Sequence, residues 1–275
     1  MKQKFILELK VVFVERLNEK NVLIKLTHDA ELPDMKPGQF VEVRVDGSAS
    51  TYLRRPISIN FVDKECNELW LLVAEVGDGT RTIAAVKPGD TLNCVLPLGN
   101  GFTYPASSSD SLLLIGGGVG VAPLLPIVEA FHAAGNRVIV VLAARTKDLI
   151  ILEKEMRQAS DEVLIMTDDG SLGKKGLVTE GVEEVILREK VDKCVTIGPA
   201  IMMKFVSALT AKYQIPTIAS LNTIMVDGTG MCGACRVTVG GKRKFVCVDG
   251  PEFDAHQVDF DELLMRLNSY KDVGK

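Results

Sequence analysis

At 275 residues, with 47% hydrophobic and 25% charged side chains, the chain is long enough for two domains and a small third unit. A formal net charge of -4 argues against nucleic acid or an anionic membrane as the partner. The longest charge-free stretch, Ser111 to Val128, is broken by glycines and two prolines, which suits a strand, a turn and a helix start better than a membrane span.

The opening segment MKQKFILELK meets charge too soon for a secretory signal, so a cytoplasmic protein is expected. Cysteines there serve as ligands or thiols rather than disulfides. Cys66, Cys94 and Cys194 stand singly and read as buried, inert thiols. Up to about residue 105, short β-rich runs (NVLIKLT, FVEVRV, LWLLVAEV, TLNCVLPL) alternate with the turns PDMKPGQ, VDGSAS and VKPGD. Closely spaced strands with Gly/Pro turns predict a small barrel or sandwich. Within it, Tyr52 to Ile59 sets Arg54 and Arg55 beside Pro56, a bidentate anion-binding pair at a sheet edge or rim. Glu75 to Thr82 offers glycines and hydroxyls ahead of a short helical stretch, TIAAV, and is a second candidate anion site. Pro97 to Phe102 is a third turn.

From Ser111 the pattern alternates. SLLLI, RVIVVLAA, EVLIMT, KCVTIG and IPTIAS read as strands, with VAPLLPIVEAFHAAG and LIILEKEMRQA as helices between them. This predicts a parallel sheet covered by helices on both faces. The first strand runs into Gly116-Gly117-Gly118-Val119-Gly120-Val121-Ala122-Pro123. Such a turn lets a ligand's phosphate approach the backbone and the helix start. No acidic residue ends the second strand, which finishes Ala144-Arg145-Thr146, so the usual ribose-binding carboxylate is unassigned and NAD and NADP stay open.

After about Asn222 come three of the six cysteines, spaced Cys232-x2-Cys235-x11-Cys247. Plant-type [2Fe–2S] sites use C-x4-C-x2-C and then a distant cysteine. Asp227 stands where the first of those cysteines would be. Gly228, Gly230 and Gly233 let the loop fold tightly round a cluster. Structural zinc competes on the same donors, and Asp249 and His256 are weaker alternatives for the fourth ligand. The chain closes on VDFDELLMRLNSY, an amphipathic helix with Asp259 as its cap.

R-P-x-S in a barrel, a G-x-G-T turn, PLGNGF, GGGVGVAP and GPAIMM, in that order, resemble the ferredoxin–NADP reductase superfamily. The likeness is to the branch holding the electron-transfer subunit of dihydroorotate dehydrogenase and the small subunits of sulfide dehydrogenase and of NADH-dependent reduced ferredoxin:NADP oxidoreductase. The resemblance implies an FAD-binding β-barrel (1–105), an α/β parallel-sheet NAD(P)-binding domain (110–222) and a small C-terminal [2Fe–2S] segment (223–275). It implies that Arg55 contacts the FAD pyrophosphate, that Pro56 and Ile57 complete the flavin-binding run, and that Ser58 sits near flavin N5 as the catalytic group. Gly79, Thr80 and Thr82 would hold the flavin phosphates. Gly118, Gly120 and Pro123 would line the NAD(H) or NADP(H) site, with Asp168, Asp169, Gly198 and Pro199 near its two ends. Many relatives carry an aromatic where this chain has Ile57, so an aliphatic contact, Tyr52 or Phe102 takes its place. The resemblance also favours Asp227 as fourth ligand beside Cys232, Cys235 and Cys247. It implies an oxidoreductase that passes electrons between NAD(P)H, FAD and the cluster. The implied partner is a larger glutamate-synthase-like iron–sulfur flavoprotein, in an electron-bifurcating assembly. A dihydroorotate dehydrogenase electron-transfer subunit is the alternative within the family; a zinc-stabilised nucleotide-binding module without redox turnover is the alternative outside it.

Overall fold

The computed structural model describes residues 3–46, 51–103 and 109–269. The VDGSAS turn and the expected domain limit at 105 lie partly or wholly outside these residues.

Six antiparallel strands form a closed barrel: β1 (Phe5–Arg16), β2 (Asn21–Thr27), β3 (Phe40–Val43), β4 (Arg55–Asp63), β5 (Glu68–Ala74) and β6 (Thr91–Leu98), joined in the order β1-β2-β5-β4-β3-β6. The period of two supplies its core. Val22, Ile24 and Leu26 point inward from β2, Leu69, Leu71 and Val73 from β5, and Leu92, Cys94 and Leu96 from β6. The longest strand, β1, is the one the sequence reading passes over, because lysine and glutamate interrupt it and only Leu9 and Val11 are buried. Pro56 is the second residue of β4 and pairs only with Glu42 of β3, so it sits at the rim as expected. Helix α1 (Asp78–Ala84) begins inside the GDGT turn rather than at Thr82. The Thr80 hydroxyl accepts from Gly77 N–H at 3.1 Å and Val76 N–H at 3.0 Å, which ties the turn into the helix start.

The second unit is a seven-stranded sheet. Its strands are β7 (Ser111–Gly117), β8 (Arg137–Ala144), β9 (Glu162–Thr167), β10 (Lys174–Lys175), β11 (Lys193–Ile197), β12 (Thr217–Ser220) and, from the cysteine segment, β15 (Glu252–Asp254). The order is β10-β9-β8-β7-β11-β12-β15, parallel except for the β12–β15 pair. Central strands are apolar on both faces, as a doubly covered sheet requires. Leu112 and Leu114 of β7 pack with α2 (Val121–Ala133) and α3 (Glu153–Ala159); Leu113 and Ile115 pack with α4 (Val178–Arg188) and α5 (Ala200–Lys212). The expected helix LIILEKEMRQA is shorter than its pattern: Leu152 takes φ +56, and the helix starts only at Glu153. Ile151 is buried in the sheet core instead of continuing the helix.

The segment after residue 222 holds a hairpin, β13 (Arg236–Val239) and β14 (Lys242–Phe245), turned by Gly240 and Gly241 with positive φ. One turn of helix, α6 (Val246–Asp249), follows, then β15 and α7 (Phe260–Asn268). Asp259 caps α7 as expected, its carboxylate accepting Glu262 N–H at 2.9 Å. The segment is not detached, since β15 extends the sheet beside β12. Cys94 and Cys194 are buried, and burial pushes both thiols up to about 12. Cys66 corrects the expectation of a buried thiol: it is exposed on the turn between β4 and β5. Among the described residues no helix is long and apolar enough to cross a membrane.

Candidate cofactor cleft and cysteine loop

A cleft of about 320 Å³ lies between the barrel and the sheet. Barrel residues Pro56, Ile57, Ser58 and Thr80 form one wall; Gly118, Gly120, Pro123, Gly198 and Pro199 form the facing wall. Leu221, Asn222 and Met225, at the entry to the cysteine segment, close one end. Residues from all three stretches of the chain thus meet at one cavity.

The facing wall is built by close backbone approach. A Cβ on Gly120 would stand 2.5 Å from Ile197 O, so only glycine lets the β7–α2 turn touch the end of β11. Gly118 has φ +56 and open space before it. Asp168 and Asp169 do not line the cleft. They follow β9 at the same C-terminal edge of the sheet, and hydrogen bonds from the hydroxyl and N–H of Ser171 hold the Asp169 carboxyl below its ordinary range.

On the barrel wall, a Cβ at Gly79 would lie 2.6 Å from Arg55 Nε, so the missing side chain lets the guanidinium rest against the start of α1. That brings a fixed positive charge, helix N–H groups and Thr80 together, the chemistry a pyrophosphate needs. Thr82 turns away, donating to Asp78 O at 2.9 Å. Arg54 is committed elsewhere, to the Glu42 and Asn93 carbonyls. Neither expected aromatic substitute faces the cleft. Phe102 is buried edge-on against Phe131 at 5.7 Å, and Tyr52 is 78% exposed away from it. Ile57 lines the wall, and Phe40 is the aromatic among the described lining residues.

In the cysteine loop, Cys235 and Cys247 bring their sulfurs within 3.2 Å in a buried site. The Cys247 thiol beside it pulls Cys235 down to about 6 and is itself pushed up, so the pair gives up its first proton readily. Asp227 pairs with Cys232, whose N–H donates to its carboxylate at 2.7 Å; Thr229 adds its N–H at 2.5 Å and its hydroxyl at 3.0 Å. Burial works against charge on Asp227, but these hydrogen bonds prevail and hold it at about 2. Gly228, Gly230 and Gly233 all have positive φ. Among the described residues no three Cys, His, Asp or Glu side chains converge on one ion position. A tetrahedral zinc site needs four donors round one ion, whereas a two-iron cluster takes its protein ligands two by two. The Cys235 and Cys247 sulfurs form one such pair, and Asp227 is tied to the backbone of Cys232, the remaining cysteine of the loop. Asp249 and His256 are spent elsewhere: Asp249 accepts Phe245 N–H at 2.7 Å, and His256 lies 3.0 Å from the Thr210 hydroxyl.

Sequence reasoning misses the acid beneath the cysteine loop. Glu42 is fully buried on β3 beneath Gly228, and neither carboxyl oxygen has a hydrogen-bond partner among the described residues. Burial pushes it up to about 8 against the pull of Arg54. The signal was present: one charged residue inside the apolar strand FVEV.

Two family models match in chain order: an oxidoreductase NAD-binding domain over residues 114–208 and the iron–sulfur cluster binding domain of dihydroorotate dehydrogenase B over residues 222–259. A dihydroorotate dehydrogenase B (NAD(+)) electron transfer subunit homolog of Thermotoga maritima is 46% identical, covering 88% of this chain and 84% of its own. The corresponding electron transfer subunit of Desulforamulus reducens is 39% identical over 81% of this chain and 86% of its own. A chain of the NADH-dependent reduced ferredoxin-NADP oxidoreductase structure, solved for insight into flavin-based electron bifurcation, superposes with a TM-score of 0.87 at 40% identity, covering 96% of this chain and 94% of that one. The chain therefore belongs to the family of the dihydroorotate dehydrogenase B electron transfer subunits, oxidoreductases of ferredoxin-reductase-like fold that carry an NAD-binding and an iron–sulfur cluster binding domain.

Proposed function

We propose that this chain is the electron-transfer flavoprotein subunit of a larger cytoplasmic assembly, taking reducing equivalents from NADH or NADPH and delivering them singly through a [2Fe–2S] cluster. The observation that carries this reading is the shared cleft, whose walls come from the barrel, the dinucleotide turn and the first residues of the cysteine segment. In this reading residues 1–105 hold FAD, 110–222 hold the nicotinamide dinucleotide and 223–275 hold the cluster. FAD supplies the conversion of a two-electron hydride into single electrons, and the cluster supplies a one-electron exit.

The protein's own residues bind, orient and exclude water. Arg55, Gly79 and Thr80 hold the FAD phosphates; Thr82, the other hydroxyl of the same helix, is spent on Asp78 O and secures the helix start instead. Pro56 and Ile57 give an apolar face to the ring, and Ser58 offers its hydroxyl at the reacting edge. Gly118, Gly120 and Pro123 admit the dinucleotide, Gly198 and Pro199 bound its nicotinamide end, and Asp168 and Asp169 lie towards its adenosine end. Asp227 and Cys232 hold one iron, and Cys235 and Cys247 hold the other. A carboxylate in place of a thiolate changes the hardness of one ligand and with it the cluster potential.

Electrons leaving by the cluster need an acceptor, so the family's subunit role extends to a larger catalytic partner. The 40% likeness to the NADH-dependent reduced ferredoxin-NADP oxidoreductase chain supports a bifurcating assembly, within which the partner we propose is a glutamate-synthase-like iron–sulfur flavoprotein. The names of the sequence relatives favour a second reading, service to a dihydroorotate dehydrogenase.

The test compares wild-type and Cys247→Ser proteins, reduced with NADH without air. Both should bleach at flavin wavelengths, and only the wild type should show the electron paramagnetic resonance signal of a reduced two-iron cluster. A full signal from Cys247→Ser, or no flavin in the wild type, would contradict the assignment.

A further inference from the structure

The cleft has a chemical gap. Among its described lining residues none is ionisable, and His28, His132 and His256 all lie elsewhere. A hydride carries two electrons and one proton. A one-electron carrier removes the electrons and leaves the proton behind, so an electron-transfer cleft needs a proton acceptor within reach.

One acid stands directly behind the lining. Glu252 opens β15 and pairs with Ser220 across the antiparallel ladder. Ser220 ends β12 and lines the cleft. Its hydroxyl lies 3.4 Å from Glu252 Oε1, in position to donate. On the opposite side the carboxyl presses on Gly38 of the barrel turn, where φ is +83 and any side chain would overlap Oε1. The carboxyl is thus held in a slot between the barrel turn and the sheet edge. The groups that face it are the Ser220 hydroxyl from β12 and the Gly38 backbone from the turn, and no charged side chain pulls on it from either element. Burial is the dominant influence and pushes the carboxyl up to about 7, where it can both take and return a proton near neutrality. Glu42 and Glu129, the other two carboxylic acids raised by burial, do not line the cleft: Glu42 lies beneath the cysteine loop and Glu129 stands on α2.

We propose that Glu252 is a positioning residue that takes, through the Ser220 hydroxyl, the proton left in the cleft when the two electrons of a hydride depart one at a time. The inference rests on the electron-transfer reading above. The step balances: bound FAD would accept the hydride of NAD(P)H, the cluster would draw off its two electrons in turn, and the one proton left would pass to the Ser220 hydroxyl as the Ser220 proton moves to the Glu252 carboxylate. The carboxyl is largely desolvated, while the residue as a whole keeps part of its surface exposed, and in this proposal the proton returns to solvent along that exposed part before the next turnover.

The test uses the flavin- and cluster-loaded protein as wild type, Glu252→Gln, Glu252→Asp and Ser220→Ala. Two quantities are read: the flavin midpoint potential against pH, and proton release to an indicator dye when NADH-reduced protein is oxidised. The wild type should show a change of slope near neutrality. Glu252→Gln, which keeps the shape of the side chain, and Ser220→Ala should lose it and release the proton at least tenfold more slowly, with flavin and iron content unchanged. Glu252→Asp should keep the slope change at a displaced pH. An unchanged slope and release rate in Glu252→Gln would overturn the role of Glu252 alone. A wild type that holds flavin but is not bleached by NADH would overturn the electron-transfer reading, and this inference with it.

Discussion

Gly120→Ala is the sharpest test of how the dinucleotide wall is built. The new Cβ would stand 2.5 Å from Ile197 O, 2.7 Å from Ile197 C and 2.8 Å from Gly198 Cα. All three are backbone atoms, so no side chain can swing aside. The β7–α2 turn must back away from β11, and overpacking of this kind costs about 1–3 kcal/mol. At about 2–4 °C per kcal/mol for a chain of this size, the melting temperature should fall by roughly 2–12 °C. The same displacement moves Gly198 and Pro199, which line the cleft. NADH affinity should therefore fall by roughly 5- to 150-fold, the same energy read as binding. The control is Gly135→Ala after α2, where φ is +85 and nothing lies within 4 Å of a built Cβ. It should lose about 1–2 kcal/mol through left-handed strain and leave NADH binding alone. Differential scanning calorimetry and a fluorescence titration with NADH read both quantities. Wild-type affinity in Gly120→Ala, or weakened binding in Gly135→Ala, would refute the close-approach argument.

Thiol labelling of the native cluster-loaded protein, counted by mass spectrometry, should modify Cys66 and spare Cys94 and Cys194; stripping the cluster should add Cys232, which is exposed, ahead of the buried Cys235 and Cys247. Asp227 should give the cluster-free protein an acid transition. Its folded carboxyl is held at about 2, below the ordinary value of about 4, so its stabilisation is complete above about pH 4 and is lost as pH falls towards 2. Asp227→Asn should lose that dependence, and an identical acid profile by near-ultraviolet circular dichroism would contradict it. Asp259→Ala removes the α7 cap and should cost about 0.5–2 kcal/mol in urea unfolding. Leu114→Ala, in the fully buried centre of β7, should cost about 2–5 kcal/mol with the cysteine loop unaffected.

Legibility from sequence followed burial. The doubly apolar strands β7 and β8 and the amphipathic α7 were plain because their side chains point where their period says. Strand β1 was obscure because ten of its twelve residues escape full burial, and a strand exposed on one face and at its ends shows little hydrophobic period. The start of α3 is not legible because Leu152 adopts φ +56, a local choice with no glycine or asparagine to announce it. The sheet's last strand was invisible for another reason. Glu252–Asp254 is three residues long, and it is a strand only because β12 lies beside it. In the site, spacing located the glycine turn that lines the cleft and the cysteine loop in which Asp227, Cys232, Cys235 and Cys247 are the proposed cluster donors. It could not show that Asp168 and Asp169 stand away from the cleft, that Glu252 comes to lie behind it, or that Glu42 is buried beneath the cysteine loop, since those placements depend on how distant stretches of the chain pack together.

The central claim is that the cleft and the cysteine loop form one electron path. The direct measurement is a visible spectrum, with iron, sulfide and zinc analysis, of protein purified without air and titrated with NADH. The account predicts flavin bands, about two iron and two sulfide per chain, and bleaching of both chromophores by NADH. A colourless protein carrying zinc would contradict it.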